Sequence, residues 1–566
     1  MTMFVAILVP LLPLVSGIIL GVFGKHLRET SSKVGVLALA LAFICSLWVL
    51  YAVSVGGPIR IMLPPFHSGP DGWFQFGLFI DRLSAVMMVL ITSVSTVIHV
   101  YSIRYLQGDP GYARFYSLLG LMTFVILSLV SSPNLLMLFV FWQLLSWILY
   151  LILAFNYAHV PAYQNAFKTL MVHRIGDVTF LCGIFMAYKY FGTLGFNELF
   201  ERASQQSYVI SLLPGNLLDI SVVTVITLLI FIGAMAKSAQ FPLHVWLPDT
   251  MDSPTPVSAL MHAGIINAGG FLLNRLAPLY ALSPNTLHIV FVIGALTVVF
   301  GASMMLVQND IKKTLGYSTM GQMGYMIMEC GLGAFALAIF HLIAHGLFKA
   351  SLFLSAGNVI HTARHEPKFP ESSGHKPTKL PAQATWVTGM IVTLIMPLII
   401  LMVAHDLLEV PLKDAHGAVI FLFFSWVTAS QAIFSLYRLH AVASWKVASA
   451  MIAALFLIGF TYLWAGEVFT HFLYPGPGVA DAFFVAAALN PIVFDALILI
   501  STFLIFLAWI YAYTDAKGQK LLNTEWSQAI QQKVYVILIN RLYVDLLYMR
   551  WGNALFQWAQ KFGNRY

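Results

Sequence analysis

Charge is what this chain of 566 residues has least of: 9% of its residues are Asp, Glu, Lys or Arg, against 59% hydrophobic. A soluble domain carries about 25%. So small a share cannot cover a water-facing surface of this size, which excludes a cytosolic enzyme and a nucleic-acid binder. The net charge of +7 then reads as basic loops at a membrane surface. The low charge and the aromatic share of 14% exclude disorder. Cysteine is scarce too. Cys45, Cys182 and Cys330 all lie in apolar runs, and no CxxC occurs. That argues against a disulfide framework, a thiolate zinc site and an iron–sulfur centre. There is no phosphate-cradling glycine loop, Walker pattern or Rossmann fingerprint, so neither ATP hydrolysis nor redox chemistry is expected in the chain itself.

What the chain has in abundance is long apolar runs. A spanning helix needs about 20 mainly apolar residues, and about fifteen runs qualify. They cover 3–23, 34–54, 78–103, 115–131, 134–155, 169–188, 220–240, 255–274, 287–307, 314–332, 333–358, 382–404, 417–437, 447–466 and 482–511. Barrel strands alternate over about ten residues, and these runs are too long and uniform for that. The expected fold class is therefore an all-α polytopic membrane protein. The first run lacks a basic lead and reads as a retained span. With residue 1 outside, the odd-numbered loops hold about 14 Lys and Arg and the even-numbered ones about 5, which follows the positive-inside rule. Lys25, Arg28, Lys33, Lys312, Lys313, Arg364, Lys368, Lys376 and Lys379 are among the former. The C-terminal tail, with Lys517, Lys520 and Lys533, falls inside. Residues 361–380 are polar and proline-bearing, an expected exposed loop. Residues 524–560 mix aromatics, aliphatics and charges. They read as a helix along the membrane interface, one packed on a partner, or a plain surface helix.

Ionisable groups inside apolar spans are costly, about 3 kcal/mol on insertion scales, so each one suggests a function or a required pair. The bases are Arg82, Arg174, Lys237 and Lys349, and the acids Asp81, Asp177, Glu329 and Asp495, joined by His173, His262, His341 and His345. His341, His345 and Lys349 follow at i, i+4 and i+8, on one helical face. Lys237 ends a strongly apolar run and Pro242 follows, so the helix breaks there. Broken helices at membrane depth are tolerated where they line a watery cavity. A buried lysine can lose its proton and histidine titrates near neutrality, so together these groups suit a proton relay. Taken singly, a buried histidine is more often a hydrogen-bonded core residue. Asp81–Arg82 and Arg174–Asp177 also read as structural ion pairs, and Lys312 and Lys313 as loop charges. Histidines four apart can share zinc, but no carboxylate accompanies His341 and His345 as in HExxH.

The segment GAMAKSAQFPLHVWLPDTMDSPTPVSALMHAG (233–264) closely resembles a signature of the antiporter-like membrane subunits of respiratory complex I and Mrp-type cation/proton antiporters. The resemblance runs through DIKKTLGYSTMGQMGYM (310–326), IFHLIAHGLFKASLFLSAGNVIH (339–361), IDRLSAVMMVL (80–90), NLLMLFVFWQLLSW (134–147) and MVHRIGDVTF (171–180). It covers roughly residues 75–365, more than half of the chain. It implies two inverted five-helix repeats, each with a broken helix. The chain then divides into N-terminal helices (1–110), a first repeat (111–280), a second repeat (281–440), C-terminal helices (441–515) and a cytoplasmic or interfacial tail (516–566).

By the same resemblance Lys237 is the central proton carrier, His262, His341, His345 and Lys349 are its neighbours, and Lys312–Lys313 holds the family's loop lysine. Arg174 and Asp177 match the pair beside the entry half-channel, and Asp249 joins them among the modulating groups. Two positions depart from the pattern. The family's Trp-Glu motif reads Trp142–Gln143 here, and Gln cannot titrate. The lysine of the second broken helix, aligned on Pro397, is replaced by Asp406 beside His405. These departures resemble the membrane subunit of DAB-type inorganic-carbon accumulation complexes. Such a subunit works beside a large soluble zinc protein resembling a β-carbonic anhydrase, in the bacterial inner membrane, with no cofactor of its own. The alternatives are a proton-pumping subunit of a quinone oxidoreductase or hydrogenase, an Mrp-type antiporter subunit, and an anchor that conducts nothing.

Overall fold

The computed structural model describes residues 2–62, 76–211, 219–365, 445–490 and 525–563, with single positions at 399 and between 492 and 510. They fall into two compact units. One comprises Met1–Gly331, Ala338–His365 and Val536–Tyr566, the other Leu332–Leu337 and Glu366–Tyr535.

The first unit opens with α1 (Thr2–Leu27) and α2 (Ser31–Gly56), then a hairpin of β1 (Ile59–Met62) and β2 (Gly77–Ile80) with Ile59 opposite Ile80. There follow α3 (Arg82–Tyr105), α4 (Tyr112–Val130), α5 (Leu135–Leu153), α6 (Val160–Phe191) and α7 (Phe196–Gln205). A second hairpin, β3 (Val209–Ser211) with β4 (Asp219–Ser221), leads into α8 (Val222–Lys237). After a break come α9 (Thr255–Leu260), a π turn (Met261–Ile265) and α10 (Ala268–Arg275). Then follow α11 (Ala277–Ala281), α12 (Pro284–Leu306), α13 (Ile311–Gly331) and α14 (Phe335–His365). The later chain supplies α15 (Trp445–Leu473) and α16 (Val479–Ala486). It ends with α17 (Glu525–Ile539) and α18 (Val544–Gly563).

Eight stretches of the described residues are long and apolar enough to cross a membrane, and the first, Thr2–Gly56, holds both α1 and α2. The molecule is thus a helical membrane protein, as composition requires. Some boundaries differ from the apolar runs. Residues 78–80 are strand, and α3 starts only where Asp81 accepts the Ser84 amide at 2.9 Å as its N-cap. The sixth helix begins at Val160, ahead of the run at 169, because its first turns are polar. The exposed loop expected at 361–380 starts as helix, since α14 continues to His365. The run 482–511 is interrupted, because α16 stops at Ala486 and non-helical residues follow to Asn490. The tail is two helices, broken at Asn540–Tyr543, with Leu542 left-handed at φ 57°. Apart from position 399, the spans 382–404 and 417–437 lie outside the described residues, as do Pro397, His405, Asp406 and Asp495.

Lipid gives no hydrophobic drive between helices, so close contact comes from small residues. A Cβ on Gly176 of α6 would lie 2.5 Å from the Ala236 Cβ of α8. On α12 and α13, a Cβ on Gly301 would lie 2.6 Å from the Gly321 amide nitrogen. The first seam sets the position of Lys237, and the second that of α13, the helix that Lys349 and His341 of α14 meet.

Candidate functional site

Lys237 is the last residue of α8 and only 1% exposed. Its Nζ donates to the Trp142 carbonyl at 2.8 Å and to Ser146 Oγ at 2.5 Å, and lies 4.8 Å from the centre of the Trp142 ring. The Trp142 indole donates to Asp177 at 2.9 Å. Asp177 pairs with Arg174 at 2.8 Å, and Arg174 also donates to the Gln143 side-chain oxygen. Among the described residues Lys237 therefore touches no carboxylate. Asp177 reaches it through Trp142, with its charge already matched by Arg174.

The break after α8 leaves backbone groups that helix would have paired, and at membrane depth each needs a partner. Ser238 Oγ donates to the Ile266 carbonyl at 2.5 Å and accepts the Gly269 amide at 3.0 Å. The Phe241 amide donates to Thr297 at 3.0 Å, and the Trp246 indole to the Ala236 carbonyl at 2.9 Å. The connection thereby ties the end of α8 to the start of α10, one turn past His262.

A second cluster gathers on α14. His262 sits in the π turn, fully buried, its ring stacked on Phe353 at 4.3 Å and 11°. Lys349, 2% exposed, donates to Ser318 Oγ at 2.8 Å and the Leu315 carbonyl at 3.3 Å. His345 is buried one turn away, its ring 6.3 Å from that of His341. His341 Nδ1 meets Glu329 at 3.1 Å and Nε2 meets the Gln322 side-chain oxygen at 3.0 Å. The predicted i, i+4, i+8 face is thus real, and it is the buried face. Both nitrogens of His341 are taken by Glu329 and Gln322 in this arrangement.

The other expected residues divide. Lys312 donates to the Ser253 carbonyl at 3.3 Å and borders a cavity of 2320 Å³ also lined by Lys25, Arg28, Arg104 and Arg114. Lys313 is half-buried at the start of α13, where Asp310 accepts its amide at 2.9 Å. Asp249 is apart from Lys237. It pairs with Lys168 at 2.7 Å and Arg541 at 2.7 Å, and both of these also hold Asp545, at 2.5 and 3.0 Å. Tyr548 adds a bond to the Pro242 carbonyl at 3.1 Å. Asp81 pairs with Arg275 at 2.5 Å, not with the Arg82 next to it. Sequence reasoning missed Arg275, Lys168, Gln322 and the tail residues Arg541 and Asp545. Arg275 fell one residue outside the run 255–274, and an arginine at a run's end was the signal that could have found it.

Two family models match the chain. One, described as NADH:quinone oxidoreductase/Mrp antiporter, TM, covers residues 132–429. The other, NADH-Ubiquinone oxidoreductase (complex I), chain 5 N-terminus, covers 70–116. The protein named "Probable inorganic carbon transporter subunit DabB1" of Halothiobacillus neapolitanus is 38% identical over 98% of both chains. NADH-quinone oxidoreductase subunit L of Rickettsia bellii is 40% identical over 64% of this chain and 57% of its own length. Among solved structures, the Mrp complex from Dietzia sp. DQ12-45-1b matches 99% of this chain and 59% of its own at TM-score 0.55 and 24% identity. The membrane-bound sulfane sulfur reductase, an archaeal respiratory complex, matches 91% and 97% at TM-score 0.56 and 20% identity, a likeness of fold. The chain belongs to the family of antiporter-like, proton-translocating membrane subunits that NADH:quinone oxidoreductases and Mrp antiporters share.

Proposed function

We propose that this chain is the proton- or cation-conducting membrane subunit of an inorganic-carbon accumulation complex. In this reading it couples an ion gradient to CO2 hydration or bicarbonate accumulation by a large soluble zinc protein resembling a β-carbonic anhydrase. The observation that carries the conducting role is the set of buried bases at Lys237, His262, His345 and Lys349, whose protein neighbours are hydroxyls, carbonyls and rings. An anchor has no use for such groups, because each is expensive in lipid. Support for the carbon branch comes from coverage. The likeness to DabB1 spans 98% of both chains, whereas that to subunit L spans 64% of this one.

In this mechanism Lys237 takes up and releases the proton. Ser146 and the Trp142 carbonyl orient its amine, and Asp177 acts on it through the indole. Gln143 orients Arg174 by a hydrogen bond and adds no titratable charge. Protons pass by His262, His345 and Lys349, with His341 set by Glu329, and leave near His405 and Asp406. The zinc belongs to the partner. The membrane is the bacterial inner one, with the N-terminus outside and the tail cytoplasmic. The Lys168–Asp545 pair supports that sidedness, since it sets the tail beside the α6 end that adjoins the basic loops. The competing reading, a subunit of a quinone oxidoreductase, hydrogenase or Mrp antiporter, draws on the family model itself.

Lys237→Ala is expected to abolish bicarbonate-dependent growth rescue while the protein stays in the membrane; full rescue by that variant would sink the reading. Native mass spectrometry of the complex separates the branches. A single large zinc protein as partner fits carbon uptake, iron–sulfur subunits an oxidoreductase, and several small membrane subunits an antiporter.

A further inference from the structure

His173 is 1% exposed, and among the described residues neither of its ring nitrogens has a hydrogen-bond partner. Its ring stands edge-on to Trp246, centroids 4.8 Å apart at 81°. Trp246 is itself fixed, because its indole is bonded to the carbonyl of Ala236, the residue before Lys237. The α6 turn that follows His173 carries Gly176, pressed against Ala236. The ring is therefore held at the end of α8 from two sides. Lys237 and, on its own helix, Arg174 are the charges acting on it. Asp177 is one turn further along α6.

A ring kept only for packing would serve better as phenylalanine, since a buried polar atom without a partner costs stability. The connection from α8 also carries His244, fully buried between Lys237 and Asp249 in sequence and stacked on Phe241 at 5.7 Å. The charges that act on His244 are Asp545, Arg541 and Lys168, members of the partly exposed cluster around Asp249. His244 thus lies on the connection that runs from the buried lysine to the partly exposed charge cluster, and His173 packs against Trp246 of that same connection.

We propose that His173 is a proton carrier that delivers protons to Lys237 from the side of the Lys168–Asp249–Arg541–Asp545 cluster, with His244 preceding it. The proposal rests on the reading of Lys237 as a proton carrier. A neutral imidazole takes a proton at one nitrogen and gives up the proton on the other. The Lys237 amine receives it on its lone pair and becomes ammonium. Nothing else is consumed, and the ring returns to neutral in its other tautomer.

The test uses the whole complex, purified through a tag on this chain and reconstituted in liposomes enclosing a pH-sensitive dye. His173→Phe preserves the contact with Trp246 and is expected to lower proton flux at least tenfold, with normal assembly and a melting temperature equal to or above that of the unaltered protein. In His173→Ala, imidazole in the buffer is expected to restore part of the flux, which a packing role would not produce. Unaltered flux in His173→Phe overturns the proposal, as does a loss that imidazole leaves untouched. Should His173→Phe assemble poorly, His173→Gln keeps hydrogen bonding without proton uptake near neutrality, and unaltered flux there overturns the proposal equally. Lys237→Ala separates the two layers. Normal flux in it removes the conducting role of Lys237. No flux in it beside normal flux in His173→Phe removes only His173.

Discussion

Residue by residue, the first cluster differs from a simple lysine–carboxylate pair. Arg174 stands between Gln143 and Asp177, so the position that a glutamate would fill is occupied by a neutral hydrogen-bond acceptor. Gln143→Glu would put two carboxylates on one guanidinium and leave net negative charge beside Lys237. An extra opposite charge at this range makes the amine slower to give up its proton. Proton flux in proteoliposomes should fall about tenfold, equivalent to about 1.4 kcal/mol; a gain instead would favour the oxidoreductase branch. That Lys237, His262, His341, His345 and Lys349 face inward was legible in the sequence, because each falls in an apolar run where a base turned to lipid is costly. Their partners were not. Glu329 meets His341 across two helices, and no spacing rule announces that. Asp81 was read against Arg82, but neighbours in sequence on a helix do not face each other. The true partner, Arg275, comes from α10.

That pairing belongs to the scale of elements, since Asp81 both caps α3 and ties it to α10. Burial alone would raise the Asp81 carboxyl, but the Arg275 charge and the hydrogen bonds from Arg275 and Ser84 outweigh it and hold it below the usual carboxylate range. A depressed native pKa contributes stability that is present above the unfolded value, about 3.9, and is lost as pH falls through the native one. Asp81→Asn should therefore lower the melting temperature of the detergent-solubilised protein at neutral pH and flatten its decline at acid pH. An unchanged acid limb would mean that Asp81 does not report on this pair. Leaving Arg275 buried without its carboxylate should cost about 3–5 kcal/mol. Helices were the readable elements, because an apolar run of this length has one solution in lipid. The strand at Gly77–Ile80 was not, being four residues of the same apolar type. The polar first turns of α6 lie beyond the apolar run that announced the helix.

For the whole molecule, the tail is the part that local pattern could not place. Lys168 and Asp545 meet across 377 positions of chain, and Arg541 completes the contact through Asp249. Exposed ion pairs contribute about 0–1 kcal/mol each, but a network with one partner half-hidden does more. Arg541→Ala should raise amide hydrogen exchange across 541–563 roughly tenfold, by about 1.4 kcal/mol, while α6 and α8 stay protected. Equal exchange in both proteins would mean that α18 is held by other contacts. The end of α8 has a consequence of its own. Peptide dipoles add along a helix to about half a negative charge at its C-terminus, and Lys237 is the residue that stands there. A counter-charge built from backbone cannot be neutralised by any pH the cell reaches. In the proposed mechanism the amine thus works against a constant field, and what would make it change state in each cycle has to come from side chains that titrate or move.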